Sequence, residues 1–326
     1  MLQCFSLGIN LNVLITGGAG LLGSQLCRDL ADRGLVVTSA SRTRVVTSRD
    51  SRVKYLEGDL CNEAFVSEIF EHRFDYVIQC AGVKANAGSQ WSLSRLISEP
   101  IRINSLCLEY AVRSGVSRFF LLSSTTVYPP TNEVPCIECQ GFDSDPDPAY
   151  QSIGWMYRFL EKLARDASLQ SDLAVTILRP SNIFGPGDNF SKMSAQVIPS
   201  LIRNFVECSS TYTVWGDGNQ TRDFIYVRDV SQIICELVLR SHVDGPFNIA
   251  SGVGTKIRDL ASCIASICNV SVSQVVYDHS KPVKVKHRVA DITHARKELG
   301  FFPQYSLRQG LEETIQWYLQ SLTSNK

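Results

Sequence analysis

The sequence has no apolar run of about 20 residues, the length that a bilayer span requires, and no excess of charge of either sign. Lysine plus arginine and aspartate plus glutamate number 32 each among the 326 residues. A neutral chain has no net field to attract nucleic acid or an anionic membrane, so local charges must bind any anionic ligand. The opening stretch MLQCFSLGINLNVLITGG leads into a predicted strand rather than a small-residue cleavage site. We therefore expect a cytoplasmic protein with no membrane and no nucleic-acid partner.

Metal-ligand spacing is also missing from the sequence. One Cys-x-x-Cys pair, Cys136 and Cys139, has no second pair that would complete a zinc site. The 11 cysteines are an odd number spread through predicted helices and strands, which is typical of reduced thiols rather than a disulfide framework. Five histidines show no ligand spacing: His72, His242, His279, His287 and His294. The sequence predicts no metal centre.

What the first half does contain is a regular alternation of β-branched runs and helical patterns. The runs NVLIT, LVVTSA, VKYLEG, DYVIQC and RFFLLSS are separated by amphipathic stretches. This alternation predicts an α/β protein with a doubly wound parallel sheet, a Rossmann fold, followed by a smaller C-terminal α/β lobe. We place a dinucleotide-binding domain at residues 1–180 and a substrate lobe at 181–326, and leave open that segments of the lobe return to the first domain.

A glycine-rich turn directly follows the first predicted strand. In TGGAGLLG the glycines Gly17, Gly20 and Gly23 form a G-x-x-G-x-x-G array that opens a helix at Leu21 and Leu22. Glycine permits the tight turn and lets the backbone approach a pyrophosphate, which binds at the helix N-terminus. Because a strand precedes the array and a helix follows it, the turn predicts a dinucleotide site.

The end of the second predicted strand indicates which dinucleotide binds. An acidic residue there selects a free ribose 2′-hydroxyl, but this chain has Ser41, Arg42 and Arg44. A hydroxyl and two guanidinium groups suit a 2′-phosphate, so NADP(H) is favoured and NAD(H) is the other candidate. The alternative is that both arginines only solvate a surface loop.

The chain resembles the extended short-chain dehydrogenase/reductases, and within them the nucleotide-sugar epimerase/dehydratase family. The resemblance depends on the order of TGGAGLLG, GDL, CAG, LLSSTTVY, LRPSNIFGP, RDFIYVRDV and RVADITHARKELGF. VYPP and GPGDNFSKMSAQVIPSLIRNF are most similar to GDP-fucose synthases. The resemblance implies a nicotinamide cofactor, a small-molecule nucleotide sugar as substrate, and further cofactor contacts at Asp59, Leu60, Ala81, Gly82 and Pro180.

The resemblance also implies the substrate contacts. Asn182 would contact the sugar or shape the loop beside the nicotinamide. Arg222 and Arg288 would bind the diphosphate, because a guanidinium group can donate two hydrogen bonds at once. The alternative for each arginine is a salt bridge with its sequence neighbour, Asp223 or Asp291.

Ser124, Thr126 and Tyr150 are the candidate catalytic residues. Ser124 and Tyr150 align with the family's serine and tyrosine, which hold the substrate oxygen while hydride is exchanged at the same carbon. From the residues alone, the alternatives are a serine that caps a loop and an aromatic residue at a helix start. Thr125 and Thr126 replace the dehydratases' Asp-Glu pair, and Thr126 and Gln196 replace the cysteine and histidine of GDP-fucose synthases. Neither dehydration nor double epimerisation is therefore expected.

The family's lysine is absent. It should lie four residues after Tyr150 on the same helix face, but position 154 is glycine. Arg158 and Lys162 lie about 12 and 18 Å from the tyrosine by helical rise, whereas Lys84 could approach from another direction. An isolated tyrosine, with a reference pKa of about 10, keeps its proton at neutral pH. It can therefore give a proton during ketone reduction more readily than it can take one during alcohol oxidation.

These observations leave three hypotheses. The first is an NADP-dependent reductase of a nucleotide-linked 4-keto sugar. The second is a nucleotide-sugar 4-epimerase with a tightly held cofactor, and the third is a catalytically silent binding protein, for which Gly154 is the main support. We also expect a homodimer.

Overall fold

The computed structural model describes residues 11–42, 50–82, 94–131, 134–192, 194–207, 211–271, 275–280 and 285–324. Up to residue 180, strands and helices alternate as the sequence predicts. They are β1 Asn12–Thr16, α1 Leu21–Asp32, β2 Val36–Ser41, β3 Val53–Glu57, α2 Glu63–Glu71, β4 Tyr76–Gln79, α3 Glu99–Arg113, β5 Arg118–Leu122, α4 Gln151–Gln170 and β6 Ala174–Pro180.

Beyond residue 180 the strands are shorter. The elements are β7 Asn182–Phe184, α5 Val197–Glu207, β8 Tyr212–Trp215, β9 Thr221–Tyr226, α6 Val227–Leu239, β10 Phe247–Ile249, β11 Gly254–Lys256, α7 Ile257–Ile267, β12 Val275–Asp278, β13 His287–Arg288, α8 Thr293–Leu299 and α9 Leu307–Ser324. Short 3₁₀ turns at Thr125–Val127 and Pro148–Tyr150 flank the site described below.

The central sheet has seven strands in the order β10-β6-β5-β4-β1-β2-β3, and every described pairing in it is parallel. The predicted doubly wound α/β fold is thus confirmed. The chain winds outward from β1 to β3 and then returns to β4 on the other side of β1, so the strand order reverses between β1 and β4. Ligands of such sheets bind at the carboxyl ends of the strands at this point. Strand β10, from beyond residue 180, pairs with β6 and completes the sheet.

Apolar side chains cover both faces of this sheet. In β1, Val13, Leu14 and Ile15 are fully buried, as expected of a parallel strand with helices on both sides. One core cluster joins the sheet to α1, α6 and the C-terminal helices, and the other joins it to α2, α3 and α4. A separate four-stranded sheet consists of β11, β9 and β13, with β7 paired to β9.

A buried ion pair fixes α4 against the sheet. Arg179 of β6 lies 2.6 Å from Glu161 of α4, and both side chains are at most 1% exposed. Glu161 also accepts a hydrogen bond from Ser123, and Arg179 donates to the Tyr128 hydroxyl at 3.1 Å. Because unpaired buried charges are costly, these partners hold α4 in one register relative to β5 and β6.

Two negative findings apply to the described residues. None of their helices is both long and apolar enough to cross a membrane. Their histidine, cysteine, aspartate and glutamate side chains form no group of three that could hold a metal ion.

Candidate active site

The turn between β1 and α1 needs glycine because other backbone groups lie very close to it. Gly17 has a φ of 69°, and a Cβ there would lie 2.8 Å from the Cα of Ala81. A Cβ on Gly23 would lie 2.4 Å from the Gly17 carbonyl oxygen. Gly20 is the N-cap of α1 and has no side chain to cap it. Since the first amide groups of a helix have no partner within the helix, this turn is suited to a pyrophosphate.

Sequence reasoning missed Gly18 in this turn. A Cβ there would lie 2.0 Å from the Ser39 hydroxyl oxygen, so β2 also packs directly on the turn. The signal available in the sequence was the second glycine of TGGAG, since the array of Gly17, Gly20 and Gly23 accounts only for the first.

The carboxyl ends of β1 and β4 are joined beside the glycine turn. Thr16 donates from its hydroxyl to Gln79 Oε1 at 2.6 Å and accepts from the Ala81 amide at 3.2 Å. These bonds place Ala81 and Gly82 at the point where the strand order reverses, as the cofactor prediction requires.

The predicted ribose contacts lie at the end of β2. Ser41 is its last residue and Arg42 follows. The Arg42 side chain is 43% exposed and forms an ion pair of 3.1 Å with Glu99, the first residue of α3. Arg44 lies outside the described residues. A 2′-phosphate would therefore compete with Glu99 for the Arg42 guanidinium.

Asp59, Leu60 and Pro180 lie on the same edge of the sheet. The Asp59 carboxylate accepts from the Cys61 amide at 3.0 Å and shapes the turn after β3. Leu60 is buried in the core, and Pro180 is the last residue of β6. Parallel strands bring their carboxyl ends to one edge of the sheet, so these residues lie on the same edge although β5, β4, β1 and β2 separate β6 from β3.

Ser124 follows β5 and caps the 3₁₀ turn Thr125–Val127. Its Oγ accepts a hydrogen bond from the Thr126 amide at 3.1 Å. Because Oγ is the acceptor in this bond, the hydroxyl proton of Ser124 stays available for a ligand. The Thr126 hydroxyl oxygen is buried and has no hydrogen-bond partner among the described residues.

Tyr150 lies at the N-terminal end of α4, held by the turn that precedes the helix. Asp147 accepts from the Ala149 amide at 2.9 Å through its carboxylate and from the Tyr150 amide at 2.8 Å through its carbonyl. The Arg288 guanidinium carbon lies 4.9 Å from the centre of the Tyr150 ring. The tyrosine side chain also interacts electrostatically with Arg222.

Arg222 and Arg288 are register neighbours on the parallel strands β9 and β13. Arg288 is buried, forms a 3.2 Å ion pair with Asp147 and donates to the Thr125 carbonyl at 3.0 Å. Arg222 donates to the carbonyls of Thr221 and Val285 at 2.9 Å. Burial lowers the pKa of Arg222, although a guanidinium group stays charged. Two cations thus lie on neighbouring strands, and Asp147 pairs with one of them, Arg288.

Asp223 is not the partner of Arg222, because adjacent residues of a strand point to opposite faces. Its carboxylate accepts from the amide and hydroxyl of Ser251 at 2.9 and 2.7 Å and from Ser181 at 3.0 Å. Burial raises the pKa of Asp223, and the hydrogen bonds oppose that shift. Asn182 donates to the Asp223 carbonyl at 2.7 Å and so joins β7 to β9. The salt-bridge alternative for Arg222 is therefore wrong.

Close packing explains why position 154 is glycine. A Cβ at this position would lie 2.4 Å from Pro146 Cβ and 2.5 Å from the Thr126 carbonyl oxygen. The helix backbone therefore packs directly on the serine-bearing turn and on the loop before Tyr150. The glycine makes room for protein backbone, and a lysine would not fit without moving both neighbours.

Other cations of α4 are engaged elsewhere. Arg158 is buried and donates to the Val127 carbonyl at 2.9 and 2.7 Å. Lys162 pairs with Asp166 at 2.6 Å on the exposed side of the helix. Lys84 lies outside the described residues.

Tyr157 is a further residue that sequence reasoning missed. It follows Tyr150 by seven residues and Ile153 by four in the sequence, and both Tyr157 and Ile153 pack on the core cluster to which Ala81 is also attached. Burial raises the pKa of Tyr157. The i, i+3, i+7 spacing of these three side chains was the available signal.

The fold defines a Rossmann-type protein with a glycine turn after β1, Ser124 after β5 and Tyr150 at the start of α4. The chain matches the NAD dependent epimerase/dehydratase family over residues 13–250, and it belongs to that family. The predicted resemblance to extended short-chain dehydrogenase/reductases is confirmed.

Similar proteins cover nearly the whole chain. A dTDP-4-dehydro-6-deoxy-D-allose reductase of Streptomyces sp is 30% identical over 319 residues, which are 94% of this chain and 95% of the relative. A GDP-L-fucose synthase of Escherichia coli strain K12 is 27% identical over 322 residues, 95% of this chain and 97% of the relative. Among solved structures, a UDP-glucose 4-epimerase from Thermotoga maritima with UDP-glucose has a TM-score of 0.86 and 25% identity, and covers 96% of this chain and 100% of its own.

Proposed function

We propose that the protein is an NADPH-dependent reductase of a nucleotide-linked 4-keto sugar. The carrying observation is the surroundings of Tyr150, whose ring centre lies 4.9 Å from the guanidinium carbon of the buried Arg288, which in turn pairs with Asp147. Positions 125, 126 and 196 have threonine, threonine and glutamine, which do not exchange protons near neutral pH. One proton donor without a second acid–base pair suits ketone reduction. The reductase similar over the whole chain supports the same class.

The two halves of the chain divide the ligands in this proposal. Residues 1–180 bind the dinucleotide, and residues 181–326 form most of the nucleotide-sugar site. The cradle at Gly17 and Gly23, which a Cβ would fill, fits a pyrophosphate. NADPH supplies a hydride when bound, and Ser41 and Arg42 favour its 2′-phosphate over the free hydroxyl of NADH. This preference depends on Arg42 exchanging Glu99 for the phosphate.

The chain's own groups then have distinct tasks. Ser124 donates its hydroxyl proton as a hydrogen bond to the substrate carbonyl, and the Thr126 amide orients Ser124. Tyr150 gives its proton to the same oxygen as hydride reaches the carbon, so that the ketone becomes an alcohol. Arg222 binds the diphosphate. Asn182 shapes the loop at the sugar through its bond to β9.

A 4-epimerase is the second candidate, because the 25% identical Thermotoga maritima protein is a UDP-glucose 4-epimerase with the same fold. An epimerase would return hydride to the opposite face of the sugar and regenerate its cofactor. The silent-protein interpretation stays the third hypothesis: the contacts with Pro146 and Thr126 give Gly154 a packing reason, but they supply no group in place of the lysine.

The test is a panel of dTDP-, GDP- and UDP-linked 4-keto sugars with NADPH or NADH, followed by absorbance and by NMR of the sugar. We expect one NADPH consumed per alcohol formed, faster turnover with NADPH than with NADH, and loss of turnover in Tyr150→Phe. A protein that purifies with bound dinucleotide and interconverts sugars without added cofactor would be an epimerase. Binding without hydride transfer to any member of the panel would contradict both enzymatic functions.

A further inference from the structure

Tyr150 directly precedes α4 and Tyr157 lies in its second turn, and the two side chains have different surroundings. The Tyr150 ring lies 4.9 Å from the guanidinium carbon of Arg288, and its side chain interacts electrostatically with Arg222. Both arginines belong to the C-terminal half of the chain, on β9 and β13. Tyr157 instead packs on core clusters formed by the sheet domain and by the turn after β5.

The 3₁₀ turn after β5 fixes the rotation of α4. A Cβ on Gly154 would lie 2.5 Å from the Thr126 carbonyl oxygen. Arg158 donates to the Val127 carbonyl at 2.9 Å. At about 100° per residue, positions 154 and 158 form one stripe that faces this turn, and Tyr157 lies about 60° to one side of Gly154. Tyr157 is therefore on a flank of the helix that adjoins the turn.

That flank of α4 faces α3 and β4. Ile153 and Ala164 lie within about 40° of Tyr157 around the helix. All three side chains pack in the core cluster that also contains Val77 of β4 and Cys107 of α3. The phenol of Tyr157 thus lies on the β4 side of the turn.

Along the helix axis, Tyr157 is level with the carboxyl edge of the sheet. Glu161, one turn later, accepts a hydrogen bond from Ser123, which directly follows β5. Tyr157 is about 6 Å nearer the helix N-terminus, and helical side chains lean toward that end. It packs against the cluster that includes Val127 and Tyr128, beyond the end of β5. The phenol therefore extends toward the carboxyl edge of the sheet.

The Tyr157 hydroxyl group is available as a hydrogen-bond donor. No hydrogen bond joins its oxygen to another of the described residues, and the oxygen is not enclosed as that of Thr126 is. Burial of the side chain raises the pKa of the phenol. The phenol thus keeps its proton at neutral pH and can donate it in a hydrogen bond.

The position of Tyr157 on this edge indicates which half of a dinucleotide it meets. The glycine turn after β1 suits the pyrophosphate, and the proposed contacts of the adenosine ribose lie at the end of β2. Since a dinucleotide spans the point at which the strand order reverses, its other half extends across the end of β4 toward β5. Ala81 marks this path: it lies against the glycine turn, 2.8 Å from a Cβ on Gly17, and packs on the same core cluster as Tyr157.

We propose that Tyr157 binds the nicotinamide riboside half of the dinucleotide through a hydrogen bond donated by its hydroxyl group. It holds that half beside Ser124, whereas Tyr150 faces the arginines of the substrate lobe. The inference rests on the dinucleotide site of the proposed function. It does not depend on which sugar is reduced.

Calorimetric titrations of two ligands into wild type and Tyr157→Phe test the inference. NADP⁺ contains the nicotinamide riboside, whereas adenosine 2′,5′-bisphosphate contains only the adenosine half. Loss of one neutral hydrogen bond should weaken NADP⁺ binding about threefold to tenfold. The affinity for the bisphosphate should stay unchanged, because phenylalanine keeps the ring and its packing.

Tyr150→Phe is the matched control, because it removes the same atom from the tyrosine that faces the substrate lobe. Its affinity for NADP⁺ should equal that of wild type. Urea unfolding of every variant checks that the fold is intact. If Tyr157→Phe does not fold, Tyr157→Met replaces it, since methionine is apolar and adapts to irregular gaps in a core.

Three results would overturn the inference: wild-type NADP⁺ affinity in Tyr157→Phe, an equal loss for both ligands, or a loss of NADP⁺ affinity in Tyr150→Phe as large as that in Tyr157→Phe. The second would mean that the whole dinucleotide site is distorted. A wild type that binds NADP⁺ but reduces no 4-keto sugar contradicts the reductase function alone, and the same titrations still decide the inference. A wild type that binds neither NADP⁺ nor NAD⁺ would overturn both.

Discussion

Replacing Gly154 with alanine separates the two explanations of this glycine, room for backbone and loss of a lysine. The new Cβ would lie 2.4 Å from Pro146 Cβ and 2.5 Å from the Thr126 carbonyl oxygen, and neither neighbour is the end of a flexible side chain. Overpacking of this kind costs about 1–3 kcal/mol. Alanine recovers about 1 kcal/mol of helix propensity. Since both contacts are rigid, we take the upper part of the range and expect a net loss of about 1–2 kcal/mol.

Equilibrium unfolding in urea and thermal scans at one fixed rate measure this loss. With the average unfolding entropy per residue, a chain of 326 residues shifts by about 1.5 °C per kcal/mol. The midpoint should therefore fall by about 1.5–3 °C. Ser152→Ala is the control, because Ser152 is exposed in the same helix and already has a Cβ. It should be neutral or slightly stabilising, since only helix propensity changes.

A Gly154→Ala variant that is more stable than wild type by about 1 kcal/mol would refute the packing explanation, because propensity would then act without a clash. Gly154→Lys extends the test, because its Cβ meets the same two neighbours. We expect it to be at least as destabilised as Gly154→Ala and to gain no alcohol oxidation. Faster alcohol oxidation in a folded Gly154→Lys variant would show that the position is a lysine site after all.

The remaining predictions concern ligand affinity and stability. Arg222→Ala should weaken nucleotide-sugar binding by about 1.5–3 kcal/mol in calorimetry and leave NADPH binding intact, because a charge-assisted contact to the diphosphate is lost; unchanged affinity would remove Arg222 from the substrate site. Arg42→Ala should narrow the preference for NADPH over NADH. Glu99→Gln should widen this preference, because it frees Arg42 from the 3.1 Å ion pair between the two side chains. If both variants show the same ratio of NADPH to NADH affinity, the 2′-phosphate binds elsewhere. Asp223→Asn should lower the free energy of unfolding in urea by about 2 kcal/mol or more, because an amide nitrogen would replace an oxygen that accepts hydrogen bonds from backbone amides. A variant as stable as wild type would mean that these hydrogen bonds contribute little.

Much of the fold was predictable because its signals are local. Strand-forming runs separated by amphipathic stretches predicted the parallel sheet, and the structure confirms it. The glycine array predicted the turn before α1, and Gly17 and Gly23 both meet backbone that leaves no room for a Cβ. Gly154, by contrast, could not be explained from the sequence. A Cβ at this position would clash with Pro146 and with the Thr126 carbonyl oxygen, and helical spacing reveals neither neighbour.

The sequence by itself determined the doubly wound sheet, the glycine turn and the presence of Ser124 and Tyr150, because backbone conformation and hydrophobic periodicity depend on residues close together in the chain. Only the tertiary structure decided which charges surround the tyrosine. Arg222 and Arg288 become neighbours through the parallel pairing of β9 with β13, and Asp147 reaches Arg288 from the turn that precedes α4. The interaction of two charges depends on their distance and on the water excluded between them, and both are set when these distant segments pack together.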